Sequence, residues 1–192
     1  MIITKTPFRM SFFGGGTDME EYFRENEGAV LSTTFDKYCY VNVRHLPRFF
    51  DYSTELSYSK TERVTDINDI QHPAIREAMK MLDMREIRLT YEADLPARSG
   101  LGTSSSFAVG MLNAFYALKG KYADKKKLAD EAIYLERVLC NESGGWQDQI
   151  AASFGGFNRI NFNSDGYEVL PVIISPERKK MLNDNLLMFF TG

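Results

Sequence analysis

The sequence predicts an α+β fold, and three observations carry that prediction. Residues 2–13 alternate in the manner of a strand, with Phe8, Met10 and Phe12 set against Arg9, Ser11 and Phe13. A helix places Phe107, Met111, Phe115 and Leu118 on one face and stops at Gly120. A loop rich in glycine and hydroxyl residues, Asp94 to Ser106, joins a strand containing Ile87, Leu89 and Tyr91 to that helix.

The remaining elements follow in chain order. Gly14, Gly15 and Gly16 end the first strand, and Thr17 with Glu20 three residues later reads as a capping box. Residues 29–44 are rich in Val and Tyr and read as one or two strands, with turn residues near Asp36 and Lys37. Pro73 suits the first position of a helix over 73–83. Asp124 caps a helix running to about Asn141. Residues 157–162 and 167–174 read as strands, and Ser175-Pro176 opens a short helix. Leu186 to Phe190 reads as an apolar strand reaching almost to the last residue. This predicts a chain cut at the start of a second domain, with residues 1–185 as the first. An open apolar strand there also predicts homo-oligomers through the C-terminal region.

Composition narrows the function classes. The 192 residues are 44% hydrophobic, enough for a substantial core, and carry a formal net charge of -3, so no basic field favours a nucleic-acid partner. No apolar run reaches the roughly 18–20 residues that span a bilayer, and the first residues, MIITKTPFRMSFF, lack the pattern of a secretory signal. Cys39 and Cys140 have no metal-ligand spacing and read as buried thiols in a reducing compartment, so the expected location is cytoplasmic.

The chemistry concentrates in Arg98-Ser99-Gly100-Leu101-Gly102-Thr103-Ser104-Ser105. Its glycines let successive amides converge on an anion, and the following helix adds free N–H groups and partial positive charge. The alternative is a turn with a serine cap, yet four consecutive hydroxyl residues exceed what one cap needs. It is not a Walker A loop, because Gly-Lys-Ser/Thr is absent. Gly14-Gly15-Gly16 also fails the dinucleotide spacing, which argues against a Rossmann dehydrogenase.

Two carboxylates stand out. Glu136 falls within the apolar stripe of Leu128, Ala129, Ala132, Ile133, Leu139 and Cys140, so it needs either a salt-bridge partner or a cation such as Mg²⁺. Asp148, in Gly144-Gly145-Trp146-Gln147-Asp148-Gln149, is either a first-turn acidic residue or a proton acceptor. Arg9 is either a surface arginine or, beside the glycine turn and Asp18, a substrate-binding group. Phosphoryl transfer needs a phosphate cradle, a metal, a metal carboxylate and a residue orienting the nucleophile, and the chain offers a candidate for each.

Taken together, these motifs resemble the GHMP kinase superfamily. Pro96–Ser106 is similar to the family's P-x-x-x-G-L-G-S-S-A-A loop, with Thr103 for the first Ser and Ser105 and Ser106 for the small residues. Arg9 to Asp18 resembles the first motif of its sugar kinases. Pro7-Phe8-Arg9, Gly-Gly-Gly-Thr-Asp and Gly155-Gly156-Phe157-Asn158 resemble the heptose-kinase branch, with fucose-type kinases nearby. The family's third, glycine-rich motif is absent.

The resemblance implies the N-terminal GHMP architecture, like the second domain of ribosomal protein S5, and ATP-dependent phosphoryl transfer to a sugar or sugar-phosphate hydroxyl. It implies ATP on residues 98–105, Mg²⁺ on Ser104 and Glu136, and catalysis by Asp148 with Arg9. It further implies sugar contacts from Gly14, Gly15, Gly16, Thr17 and Asp18. The competing expectations are a nucleotide-binding fragment unable to turn over and a fucose- or galactose-type kinase.

Overall fold

Seven strands and six α-helices build the chain, seen in a computed structural model that describes residues 1–96 and 99–189. The strands are β1 Ile2–Phe13, β2 Gly28–His45, β3 Thr54–Ser57, β4 Thr61–Val64, β5 Ile87–Ala93, β6 Phe157–Asn163 and β7 Gly166–Pro171. The helices are α1 Glu20–Phe23, α2 Pro73–Met81, α3 Thr103–Leu118, α4 Lys125–Ile133, α5 Gln147–Phe154 and α6 Pro176–Asp184. The mixed architecture agrees with the α+β expectation.

The long strand β2 organises the sheet. One edge pairs antiparallel with β1 along nearly its whole length. The other takes β6 along Gly28–Thr33 and then β5 along Cys39–His45. The order is β4-β3-β5-β2-β6-β7, with β1 on β2's other edge, and β3–β5 is the parallel pair. No turn forms at Asp36-Lys37, contrary to the sequence reading. Instead the register slips there: Pro7 pairs with Tyr38 but Arg9 with Thr34, so β2 absorbs the extra residues as an irregularity. Such irregularities re-aim side chains, and this one falls at Arg9, whose N–H donates to Leu101 O at 3.1 Å.

Helix α3 lies against β1 and β2 and is buried on almost every side. Phe107, Met111 and Phe115 are covered as expected, but so are Ala108, Val109, Leu112 and Ala114, because α4 and α5 close over its outer face. The main core joins α2, α3 and the inner face of β2 and β5 through Val41, Val43, Ile75, Met79, Leu89 and Leu112. A smaller core joins Phe23, Val30, Ile133, Ile150, Ile160 and Phe162, with Trp146 edge-on to Phe23.

The structure departs from or adds to the sequence reading at four further points. Thr17 does not cap a helix: its hydroxyl donates to Gly14 O at 2.8 Å and accepts from Ala29 N at 3.1 Å, and α1 begins only at Glu20. The helix opened by Asp124, which accepts from Lys127 N, changes at Tyr134 into a π-helical turn, Tyr134–Leu139. Strands β3 and β4 have no counterpart in the sequence reading. Leu186–Phe189 forms no strand; it follows α6 with its side chains exposed, while Phe190 lies outside the described residues. The premise of an open C-terminal strand edge therefore fails over Leu186–Phe189. Among the described residues, no helix is long and apolar enough to cross a membrane.

Candidate active site

Helix α3 opens the site. Gly102, its first flanking residue, has φ +73° and no side chain, and no side chain caps the helix. The first amides of α3 therefore face outward with their share of the helix dipole, the arrangement that binds anions. Gly100, at φ +74°, turns the preceding loop. Ser99 Oγ is buried with no partner among the described residues, and Ser104 is exposed at the helix start. Ala97 and Arg98, the latter expected to touch phosphate, lie outside the described residues.

Arg9 ties three segments together. Its Nε and NH2 both reach Asp148 Oδ1, at 2.7 and 2.6 Å, and its NH1 donates to Gly100 O at 3.2 Å. Asp148 Oδ2 is left facing Gly102: a Cβ built there would sit 3.4 Å from Oδ2 and 3.1 Å from Arg9 Cγ. Gly102 thus answers both a positive φ and a close approach. Burial pushes the Asp148 carboxyl above its ordinary range, against the opposing pull of Arg9. A carboxylate so placed is a better proton acceptor than a solvated one.

Glu136 sits in the π-helical turn, a distortion often found at functional sites. It is 1% exposed and takes hydrogen bonds from Ser104 at 2.8 Å, Ser105 at 2.6 Å and Gln149. Arg137 NH2 adds a long ion pair to Oε2 at 3.8 Å, so the salt-bridge partner is also present. A carboxylate offers about four acceptor sites, and Oε1 receives only Ser104 among the described residues. Those residues contain no cluster of three His, Cys, Asp or Glu fit to hold a metal alone. A divalent cation there would depend on Glu136, Ser104 and phosphate oxygens, the sparse ligation usual for Mg²⁺.

The glycine turn forms the third wall. Gly15 and Gly16 are exposed, and Gln147 Nε2 lies 4.0 Å from the position of a Cβ at Gly15. Asp18, grouped with the turn as a substrate contact, points inward instead. It is 2% exposed, with Oδ1 accepting from Gly16 N and Gln147 Nε2 and Oδ2 accepting from Gln147 N, each at 3.1 Å. The sequence reading missed Gln147 and Gln149 as members of the site. Their signal was present: two amide side chains flank Asp148, and Gln149 is fully buried in a helix otherwise lined by Ile150, Ala151 and Ala152.

An uncapped helix N-terminus thus faces a half-buried carboxylate across a glycine, an arrangement suited to an anion, in an α+β domain. The chain matches the model of the GHMP kinases N terminal domain over residues 70–156. It is 32% identical over 206 residues to a D-glycero-alpha-D-manno-heptose 7-phosphate kinase of Campylobacter jejuni, covering 100% of this chain and 60% of that protein. A bifunctional fucokinase/GDP-fucose pyrophosphorylase of Arabidopsis thaliana is 32% identical over 106 residues, covering 52% of this chain and 10% of that protein. The crystal structure of a D-glycero-D-manno-heptose 1-phosphate kinase from Bacteroides thetaiotaomicron superposes with TM-score 0.80 at 25% identity, covering 91% of this chain and 61% of that one. The chain thus spans about 60% of the length of these two heptose phosphate kinases.

Proposed function

We propose that residues 1–185 form the ATP-binding domain of a kinase that phosphorylates a hydroxyl of a sugar or sugar phosphate, with a heptose phosphate as the favoured acceptor. Residues 186–192 then lead into a second domain. The observation that carries the reading is Asp148 Oδ2, held by Arg9 to face Gly102 at the uncapped start of α3. The likeness to the heptose 7-phosphate kinase supports the acceptor class. The fucokinase match keeps a fucose-type acceptor as the second reading.

The residues fit Mg²⁺-ATP. The amides of Thr103, Ser104 and Ser105, with the Ser99 hydroxyl, would hold phosphate oxygens, and Ser104 with Glu136 would hold the cation. When bound, Mg²⁺-ATP supplies the phosphoryl group and the charge that neutralises its oxygens. The chain's part is positioning and proton transfer. Gly14, Gly15, Gly16 and Thr17 present main-chain groups to the sugar. Asp148 Oδ2 accepts the proton of the attacking hydroxyl. Arg9 fixes the carboxylate's rotamer through two bonds to Oδ1 and stabilises the alkoxide that develops beside it.

A screen of hexoses, heptoses and their phosphates for ATP-dependent phosphorylation by the full-length gene product tests this reading. The expected result is a heptose phosphate as the best acceptor. Turnover confined to non-sugar alcohols would reject it.

A further inference from the structure

We propose that Asp18 and Gln147 form a latch that positions Asp148, so that the glycine turn and the start of α5 behave as one body. The inference rests on the reading of Asp148 as proton acceptor. Helix α5 has no cap of its own, because Trp146 offers no side-chain bond. Asp18 supplies the cap from a segment more than a hundred residues away: its Oδ2 takes the Gln147 N–H, the first amide of α5. Its main-chain carbonyl takes the Trp146 N–H at 3.1 Å.

The Gln147 side chain closes the latch in a defined orientation. Nε2 donates to Asp18 Oδ1, and Oε1 accepts from Ser11 Oγ at 2.5 Å. One amide thus joins β1, the glycine turn and α5. Glutamate would reproduce the shape but set a second negative charge against Asp18. The fit is close enough that a Cβ at Gly145 would overlap Asp18 Oδ2. Gly16 N also donates to Asp18 Oδ1, so the exposed turn is bonded to the residue that orients the helix carrying Asp148. With three donors already in place and 2% exposure, Asp18 presents little surface to a sugar hydroxyl.

The same residue acts on Asp148 through its charge. Among the described residues, the charged groups acting on Asp148 are Arg9 from β1, Arg137 from the π-helical turn and Asp18 from the glycine turn. The two arginines draw its pKa down, and Asp18 pushes it up. Removing the Asp18 charge should therefore lower the pKa of Asp148. Loosening Gln147 alone should leave that charge effect in place.

Steady-state kinetics of the full-length gene product with Asp18→Asn and Gln147→Ala, alongside amide hydrogen exchange, test the latch. Both variants should lose about tenfold or more in kcat, with KM for the sugar changed by less than about threefold, as misplacement of a catalytic group predicts. Asp18→Asn should also move the acid limb of kcat to lower pH, whereas Gln147→Ala should not. The Gln147 amide should exchange faster in Asp18→Asn. A raised sugar KM with unchanged kcat would make Asp18 a direct substrate contact and overturn the latch. So would unchanged exchange at Gln147 in Asp18→Asn. If the wild type phosphorylates no sugar, the kinase reading fails, while the exchange measurement still decides the latch.

Discussion

Arg9 and Asp148 meet through one oxygen only. Both Nε and NH2 of Arg9 bond Asp148 Oδ1, which leaves Oδ2 turned toward Gly102 at the start of α3. A symmetric, fork-on-fork pair would engage both oxygens and leave neither clear of the arginine. In the proposed reading, this asymmetry is what lets an ion pair, ordinarily a structural contact, serve chemistry.

Gly102→Ala should be more damaging than Gly100→Ala, although the two glycines share nearly the same φ, +73° and +74°. At Gly100 the space is open, so alanine meets only the backbone strain, about 1 kcal/mol. At Gly102 the new methyl also presses on Arg9 and Asp148. The expected total is about 2–3 kcal/mol, or a drop in Tm on the order of 4–12 °C. Thermal denaturation of the two variants side by side makes the comparison; equal losses would place Arg9 and Asp148 elsewhere.

The pH profile follows from Asp148. The group accepts a proton only when ionised, so kcat falls as pH drops through its pKa. Burial raises that pKa, and the acid limb should therefore lie above the ordinary aspartate value of about 3.9. Arg9→Gln removes a charge that opposes the rise, and should move the limb to still higher pH. A downward shift in that variant would contradict the assignment.

Glu136→Gln separates metal binding from packing. An amide cannot accept at both ends, so one of the donors Ser104, Ser105 and Gln149 loses its partner, at a cost of about 1–3 kcal/mol. If Glu136 also holds Mg²⁺, the variant should weaken Mg²⁺-ATP more than metal-free nucleotide in titration calorimetry. Equal weakening would make the carboxylate a packing residue alone.

How far the sequence reveals this molecule depends on which interactions are local. The alternation of residues 2–13, the cap at Asp124 and the Ser175-Pro176 helix start depend on neighbours in the chain, and the structure has all three. Strands β3 and β4 are only four residues each, too short for a periodic signal, and β3 forms by pairing with the distant β5. Thr17 satisfies the local pattern of a capping box, yet Ala29 and Gly14 claim its hydroxyl. Leu186–Phe189 is apolar enough for a strand but has no partner strand among the described residues. In the site, the positions of Arg9, Glu136 and Asp148 were legible because a charge on an apolar stripe or beside a glycine turn needs a reason. The inward turn of Asp18 was not legible, since its partner Gln147 is remote in sequence.

The most direct test of the central claim is single-turnover phosphoryl transfer from ATP to the best sugar acceptor by the full-length gene product, wild type against Asp148→Asn, with nucleotide affinity measured in parallel. Asparagine keeps an acceptor for Arg9 but cannot take a proton. The account predicts a rate lower by about 10²–10⁴ with nucleotide affinity essentially unchanged. An unchanged transfer rate in Asp148→Asn would contradict it.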